Sequence, residues 1–362
     1  MHRIRPLRAG AFICVLAAAA IGCQPMRGAE PGMSPAAGAD PSLARADADM
    51  RAVLEQHMAL GPRPIETLTP AEARQQPTIA DAVKALLQRQ GRSTAPEPVG
   101  SVVNRTIPGP DGPIPVRIYT PVGTGPFPVV VYSHGGGWVI ATIDTYDSSA
   151  RALTNAAQAI VISIEYRKGP ENRFPAAHDD AFAAYQWALA NAASIGGDPN
   201  RVATAGESAG GGLAVAAALM ARERGVKLPV HVLSVYPIAD GDTISPSYQE
   251  WANAKPLDRP TMAWFFRHYL RGPQDAADPR ISLVDTNLRG MPPHTIINAQ
   301  IDPLRSDGEE LAARLRAAGV QVQQRTWEGT THEFFGTGAV VSDAREAVAF
   351  GGGALRAAFG GR

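Results

Sequence analysis

Ser208 sits in GESAG (residues 206–210), after the apolar-leaning run RVATA and ahead of the helix pattern AGGGLAVAAALMARERG. Glycine on both sides of a serine, two residues away each time, suits a strand-to-helix turn too tight for neighbouring side chains. Such a turn presents the hydroxyl as a nucleophile. A helix starting behind it supplies backbone N–H groups with no helical partner, close to charge developing near the serine oxygen. A phosphate-cradling loop is the competing reading. That motif carries a lysine directly after its last glycine, and none follows here. G-x-S-x-G alone is weak evidence and needs partners.

The first partner is His134-Gly135-Gly136-Gly137-Trp138, directly after the strand-like run FPVVVYS. Three glycines reduce a loop to bare backbone, whose N–H groups can approach an oxyanion. Amides of this loop, complemented by that of Ala209 after the serine, are the expected oxyanion hole. Trp138 adjoins this loop and is the candidate for the substrate pocket.

Base and acid follow from chain order, which in nucleophile-elbow enzymes runs serine, acid, histidine. Of eight histidines, His231, His268, His294 and His332 follow Ser208. The first and third open apolar strands and the second lies among aromatics, so all three read as structural. His332, in EGTTHEFFG, lies in a loop after the last strand pattern and is the expected base. Asp302, just beyond the strand HTIINAQ, is the expected acid. Asp240 is the runner-up, and Asp307 reads as a helix cap.

Positioning these residues requires strands that end at one edge. Eight strand patterns are legible: VVNRTI, IPVRIYT, FPVVVYS, AIVISIEY, RVATAG, PVHVLSVYP, HTIINAQ and VQVQQRTWEG. From the third onward they alternate with helical patterns, which predicts a mostly parallel sheet covered on both faces, with chemistry at its carboxyl edge. Two helical patterns within residues 47–95, and an irregular insertion near 238–290, predict a smaller helical cap. The main α/β domain then spans residues 96–362.

With 34 basic and 34 acidic residues among 362, the chain has no net charge, and no basic run marks it for nucleic acid. Nothing in it resembles a metal or cofactor motif. The start, MHRIRPLR followed by AGAFICVLAAAAI, reads as a signal peptide over residues 1–23. Its core is too short for a spanning helix. Cys23 closes AAIGC, a lipobox-like run with Ala20 where leucine is usual, and is the candidate for lipidation; cleavage at a small-residue site is the alternative. The expected location is therefore the periplasm or cell envelope, lipid-anchored through Cys23 or otherwise secreted. Residues 24–46, rich in Ala, Gly, Pro and Ser, read as a flexible tether.

These motifs, taken in order, resemble the bacterial branch of the hormone-sensitive lipase family. The matching stretches are HGGGW (134–138), YRKGPE (166–171), FPAAHDD (174–180), GESAGG (206–211), DPLRSD (302–307) and the His332 loop, with LTPAEAR (68–74) resembling the amino-terminal cap segment. The resemblance implies the α/β-hydrolase fold and a small-molecule carboxylic ester as substrate. It also implies Ser208 as nucleophile, His332 as base, Asp302 as its partner, and an oxyanion hole from the N–H groups of Gly135, Gly136 and Ala209; no cofactor is required. Glu207 departs from the family's usual aspartate, YRKGPE from its YRLAPE, and Phe182 from an often-seen tyrosine. The expected reaction is acyl transfer to water through a serine ester, on short- to medium-chain esters. Activity is expected to rise with pH around the ordinary histidine value of about 6.5. An amidase or peptidase is the alternative within enzymes. The alternative from another class is a non-catalytic ligand-binding protein on the same scaffold; receptors of that kind lack the histidine that this chain retains.

Overall fold

The structure, a computed structural model, describes residues 41–361. The expected signal peptide and Cys23 lie outside the described residues.

Eight strands form one sheet: β1 (Ser101–Gly109), β2 (Gly112–Thr120), β3 (Phe127–Ser133), β4 (Ile160–Ile164), β5 (Gly197–Glu207), β6 (Val232–Val235), β7 (His294–Ile301) and β8 (Val322–Thr331). Their spatial order is β1-β2-β4-β3-β5-β6-β7-β8. The β1–β2 and β2–β4 pairs are antiparallel and all others parallel. The β1–β2 hairpin turns over Pro110 and Asp111, as the Gly and Pro residues of PGPDGP predict.

The described helices are α1 (Pro41–Arg45), α2 (Ala48–Ala59), α3 (Pro70–Ala73), α4 (Ile79–Arg89), α5 (Asp147–Ala157), α6 (Ala176–Asn191), α7 (Ala209–Glu223), α8 (Pro246–Glu250), α9 (Arg259–Tyr269), α10 (Arg305–Ala317) and α11 (Ser342–Ala358). Successive residues of a strand face opposite ways, so a continuous apolar strand feeds two cores. Val130 and Tyr132 of β3 join Ala203 and Ala205 of β5 against Leu153 of α5 and Leu355 of α11. Val129 and Val131 turn to the other face, with Ala181 of α6 and Leu213 of α7.

The folded chain begins earlier than residue 47, where composition places the end of the tether. Residues 41–45 form α1, Ser42 is buried, its Oγ accepts from Lys255 N at 2.8 Å, and Ala46 enters a core. A long-range contact of this kind leaves no trace in local composition.

The amino-terminal segment and the 238–290 stretch meet each other and the loop after β3. Trp264 Nε1 of α9 donates to Leu68 O at 3.0 Å. Arg74, following α3, donates to Val139 O at 2.9 Å and to Gly169 O at 2.7 Å, and its guanidinium grips both oxygens of Glu171. A bidentate pair of this kind fixes direction as well as distance.

Candidate active site

The turn at Ser208 shows why its glycines are required. Ser208 has φ 57° and ψ −122°, outside the regions that an ordinary residue prefers. A Cβ on Gly206 would lie 2.1 Å from Gly210 O, and one on Gly210 would lie 2.0 Å from Ser133 O. Strand β5 therefore turns into α7 with backbone pressed on backbone, and the same approach brings the start of α7 against the end of β3. Loop 134–138 leaves from that end.

Asp302 directly follows β7, and His332 directly follows β8. His332 Nδ1 lies 2.7 Å from Asp302 Oδ2, and His332 Nε2 lies 2.9 Å from Ser208 Oγ. A carboxylate accepts only, so Nδ1 carries the proton and Nε2 is left to accept from the serine hydroxyl. Asp302 Oδ1 accepts from Leu304 N at 2.8 Å, which holds the carboxylate from its other side. Exposure is 4% at Ser208, 3% at His332 and 0% at Asp302, so the chain of hydrogen bonds runs without competing solvent. Burial on its own pushes the His332 imidazole toward its neutral form. The charge and hydrogen bond of Asp302, joined by the charges of Glu333 and Glu207, outweigh that and leave its pKa raised above 6.5.

Loop 134–138 is shaped from several sides. Gly136 and Gly137 take φ of 95° and 57°. Tyr166 Oη, in the YRKGPE motif, donates to His134 O at 2.9 Å and Gly135 O at 3.0 Å, and so occupies the loop's carbonyls. The amides of Gly135, Gly136 and Ala209 have no backbone acceptor among the described residues. Burial depresses the His134 pKa to about 4, so this imidazole is neutral and adds no charge beside the loop. A Cβ on Gly135 would stand 2.2 Å from Tyr146 Oη and 3.2 Å from Glu207 O. Gly135→Ala is therefore expected to displace the loop and lower kcat about 100- to 1000-fold, the loss typical of one missing oxyanion donor. Steady-state kinetics on a p-nitrophenyl ester, with KM near the parental value, check this.

The other sequence candidates lie elsewhere. His231 Nε2 lies 2.9 Å from Thr295 Oγ1, His294 Nδ1 lies 2.7 Å from Pro292 O, and His268 packs on Trp264. Asp240 accepts from Gly241 N and Ser282 Oγ. Asp307 does not cap α10: it lies within that helix, and its Oδ2 accepts from Ala239 N and Asp240 N, fastening the chain that follows β6. Trp138 is 1% exposed and stacks on Tyr269 at 4.8 Å, in an aromatic wall with Phe266 and His178. The aromatic ring set directly against the loop is Phe265, 2.1 Å from where a Gly137 Cβ would be. Phe182 of α6 lies under the Arg224 guanidinium, and Tyr185 Oη donates to Lys227 O at 2.7 Å.

Sequence reading missed Tyr146, Tyr166, Glu333 and the partners of Glu207. A groove of about 780 Å³ between α4, α5 and α11 contains none of Ser208, Asp302 and His332.

A parallel sheet with a strained serine at the carboxyl end of β5, joined through histidine to an acid after β7, is the construction of an α/β-hydrolase. Residues 130–336 match the family described as alpha/beta hydrolase fold, and the chain belongs to that family, in its hormone-sensitive-lipase-like branch. Among relatives, it is 41% identical to carboxylesterase NlhH of Mycobacterium tuberculosis over 78% of this chain and 91% of that protein. It is 33% identical to an ethyl acetate hydrolase of Pseudomonas putida over 78% and 88%. Among solved structures, a hyperthermophilic esterase from Pyrobaculum calidifontis superposes with TM-score 0.79 at 34% identity, covering 86% of this chain and 98% of that one. The protein is an enzyme of this esterase family.

Proposed function

We propose that the chain is a serine carboxylesterase acting on short- to medium-chain acyl esters. The observation that carries this reading is the hydrogen-bonded run Asp302–His332–Ser208 beside a glycine loop with free amides. His332 Nε2 takes the Ser208 proton as Oγ attacks the ester carbonyl. The tetrahedral oxyanion is met by the amides of Gly135, Gly136 and Ala209. His332 then hands its proton to the departing alcohol oxygen, and the C–O bond breaks to leave an acyl-serine. Water adds to that acyl-serine by the same steps in reverse roles, releasing the acid and restoring Ser208. Asp302 keeps the imidazole in the tautomer that accepts from serine and stabilises its cationic form.

Two features support a short acyl chain. The Phe265 ring stands directly against the glycine loop, and one relative carries the name ethyl acetate hydrolase. The test is hydrolysis of p-nitrophenyl acetate, butyrate, octanoate and palmitate across the pH range. Turnover is expected on the first two and to fall steeply by palmitate. Because the base must be neutral and its pKa is raised, the acid limb is expected above the ordinary histidine value of about 6.5. Failure on every ester, or a rate flat across that region, overturns the reading.

A further inference from the structure

One buried charge beside the nucleophile has no part in the triad. Glu207 is 1% exposed, and both its carboxylate oxygens are held by tyrosine hydroxyls: Tyr132 Oη of β3 donates to Oε1 at 2.5 Å, and Tyr236 Oη, just after β6, donates to Oε2. The Tyr236 ring lies 4.6 Å from the imidazole of His332, centroid to centroid. Tyr236 also has φ 33°, so the backbone is bent to deliver that ring.

We propose that Glu207 is a positioning residue for acyl transfer: its carboxylate fixes the Tyr236 ring against His332 and places a negative charge one ring away from the imidazolium that forms during the reaction. The inference rests on the triad reading above and adds to it a residue that departs from the family's usual aspartate.

The hydrogen bonds favour the ionised form. Each tyrosine hydroxyl donates to a carboxylate oxygen, and a donor on each oxygen favours the charged form over the acid. Burial raises the Glu207 pKa, and the two tyrosines work against that rise. The groups around it come from every packed element. Tyr132 and Tyr236 donate to it. Ser149 of α5 faces it, its Oγ outside hydrogen-bond geometry. Tyr146, preceding α5, and Glu333, following His332, lie across the same narrow cleft. Tyr146 Oη reaches Glu333 Oε1 at 3.4 Å. Glu207 and Glu333 both favour the charged form of His332, so removing the Glu207 charge makes the imidazolium harder to form.

The experiment compares Glu207→Gln and Glu207→Asp with the parent on p-nitrophenyl butyrate, recording kcat, KM and the acid limb. Glu207→Gln keeps the shape and removes the charge. Its kcat plateau is expected to fall about tenfold with KM little changed, and its acid limb to move down by about half to one pH unit. Glu207→Asp is expected to keep the limb within about 0.2 unit of the parent, because the charge remains. A purely structural defect lowers the plateau and leaves the limb in place. An unmoved limb in Glu207→Gln, or an equal shift in both variants, overturns the proposal. If Glu207→Gln does not fold, Tyr236→Phe decides, since it removes one clamp and keeps the ring; unchanged kcat there is also fatal. An inactive parent refutes the esterase reading itself, whereas an active parent with an unmoved limb refutes only the role of Glu207.

Discussion

Ser208→Ala is expected to lower kcat on p-nitrophenyl butyrate by about 10⁶-fold, to a residue of catalysis owed to the glycine loop and substrate binding. The size follows from how little else at the site can attack a carbonyl. Ser208 is the hydroxyl bonded to His332 Nε2, at 2.9 Å, and His332 has no second proton donor on that nitrogen among the described residues. A methyl in place of the hydroxymethyl leaves the turn undisturbed, since φ 57° at this residue is imposed by the Gly206 and Gly210 contacts and not by the hydroxyl. The variant is therefore expected to fold, to show the parental melting profile and to bind ester with only that residual turnover. Stopped-flow measurement on the parent is expected to show a burst of p-nitrophenol where deacylation is slower than acylation, and the variant none. A Ser208→Ala protein within tenfold of the parent, free of contaminating esterase, sinks the nucleophile assignment.

Much of the scaffold was legible because its signals are local. All eight strand patterns named from sequence correspond to observed strands, and β3, β4, β6 and β7 are the continuous apolar runs that a parallel sheet buried on both faces requires. The glycines at 206, 210 and 135 were legible for a similar reason. Each stands where a side chain would strike backbone or a fixed hydroxyl, and only glycine avoids the collision. The features that escaped are held by distant partners. Glu207 is joined to Tyr132 across 75 residues and to Tyr236 across 29, and nothing in GESAG announces either. Asp307 has the spacing of a helix cap, yet it serves amides 67 and 68 residues away. The burial of Ser42 and Ala46 depends on surfaces that exist only after folding, so a stretch rich in small residues reads as tether. The raised pKa of His332 was hidden for the same reason, because the charges of Glu333 and Glu207 join that of Asp302 only in three dimensions.

Asp302→Asn carries the second large effect, and its cause is the direction of one proton. The substitution keeps the volume of the aspartate, and the new amide oxygen can still accept from Leu304 N in place of Asp302 Oδ1. The amide nitrogen then faces His332 Nδ1, where a carboxylate oxygen lies at 2.7 Å in the parent. A donor in that place compels Nδ1 to accept, which moves the ring proton to Nε2 and points it at Ser208 Oγ. The base is then protonated on the nitrogen that should receive the serine proton. In a comparable triad this change costs about 10⁴-fold in kcat with the geometry intact. The same order of loss is expected here, with KM nearly unchanged. The imidazolium also loses its principal anionic partner, so the acid limb is expected to fall to lower pH than in Glu207→Gln. Asp240→Asn is the control, since Asp240 bonds to Gly241 and Ser282 and not to the imidazole; it is expected to retain activity within a few-fold of the parent. An Asp302→Asn enzyme with parental kcat means that this carboxylate only fastens the turn after β7, and the acid of the mechanism must then be sought elsewhere.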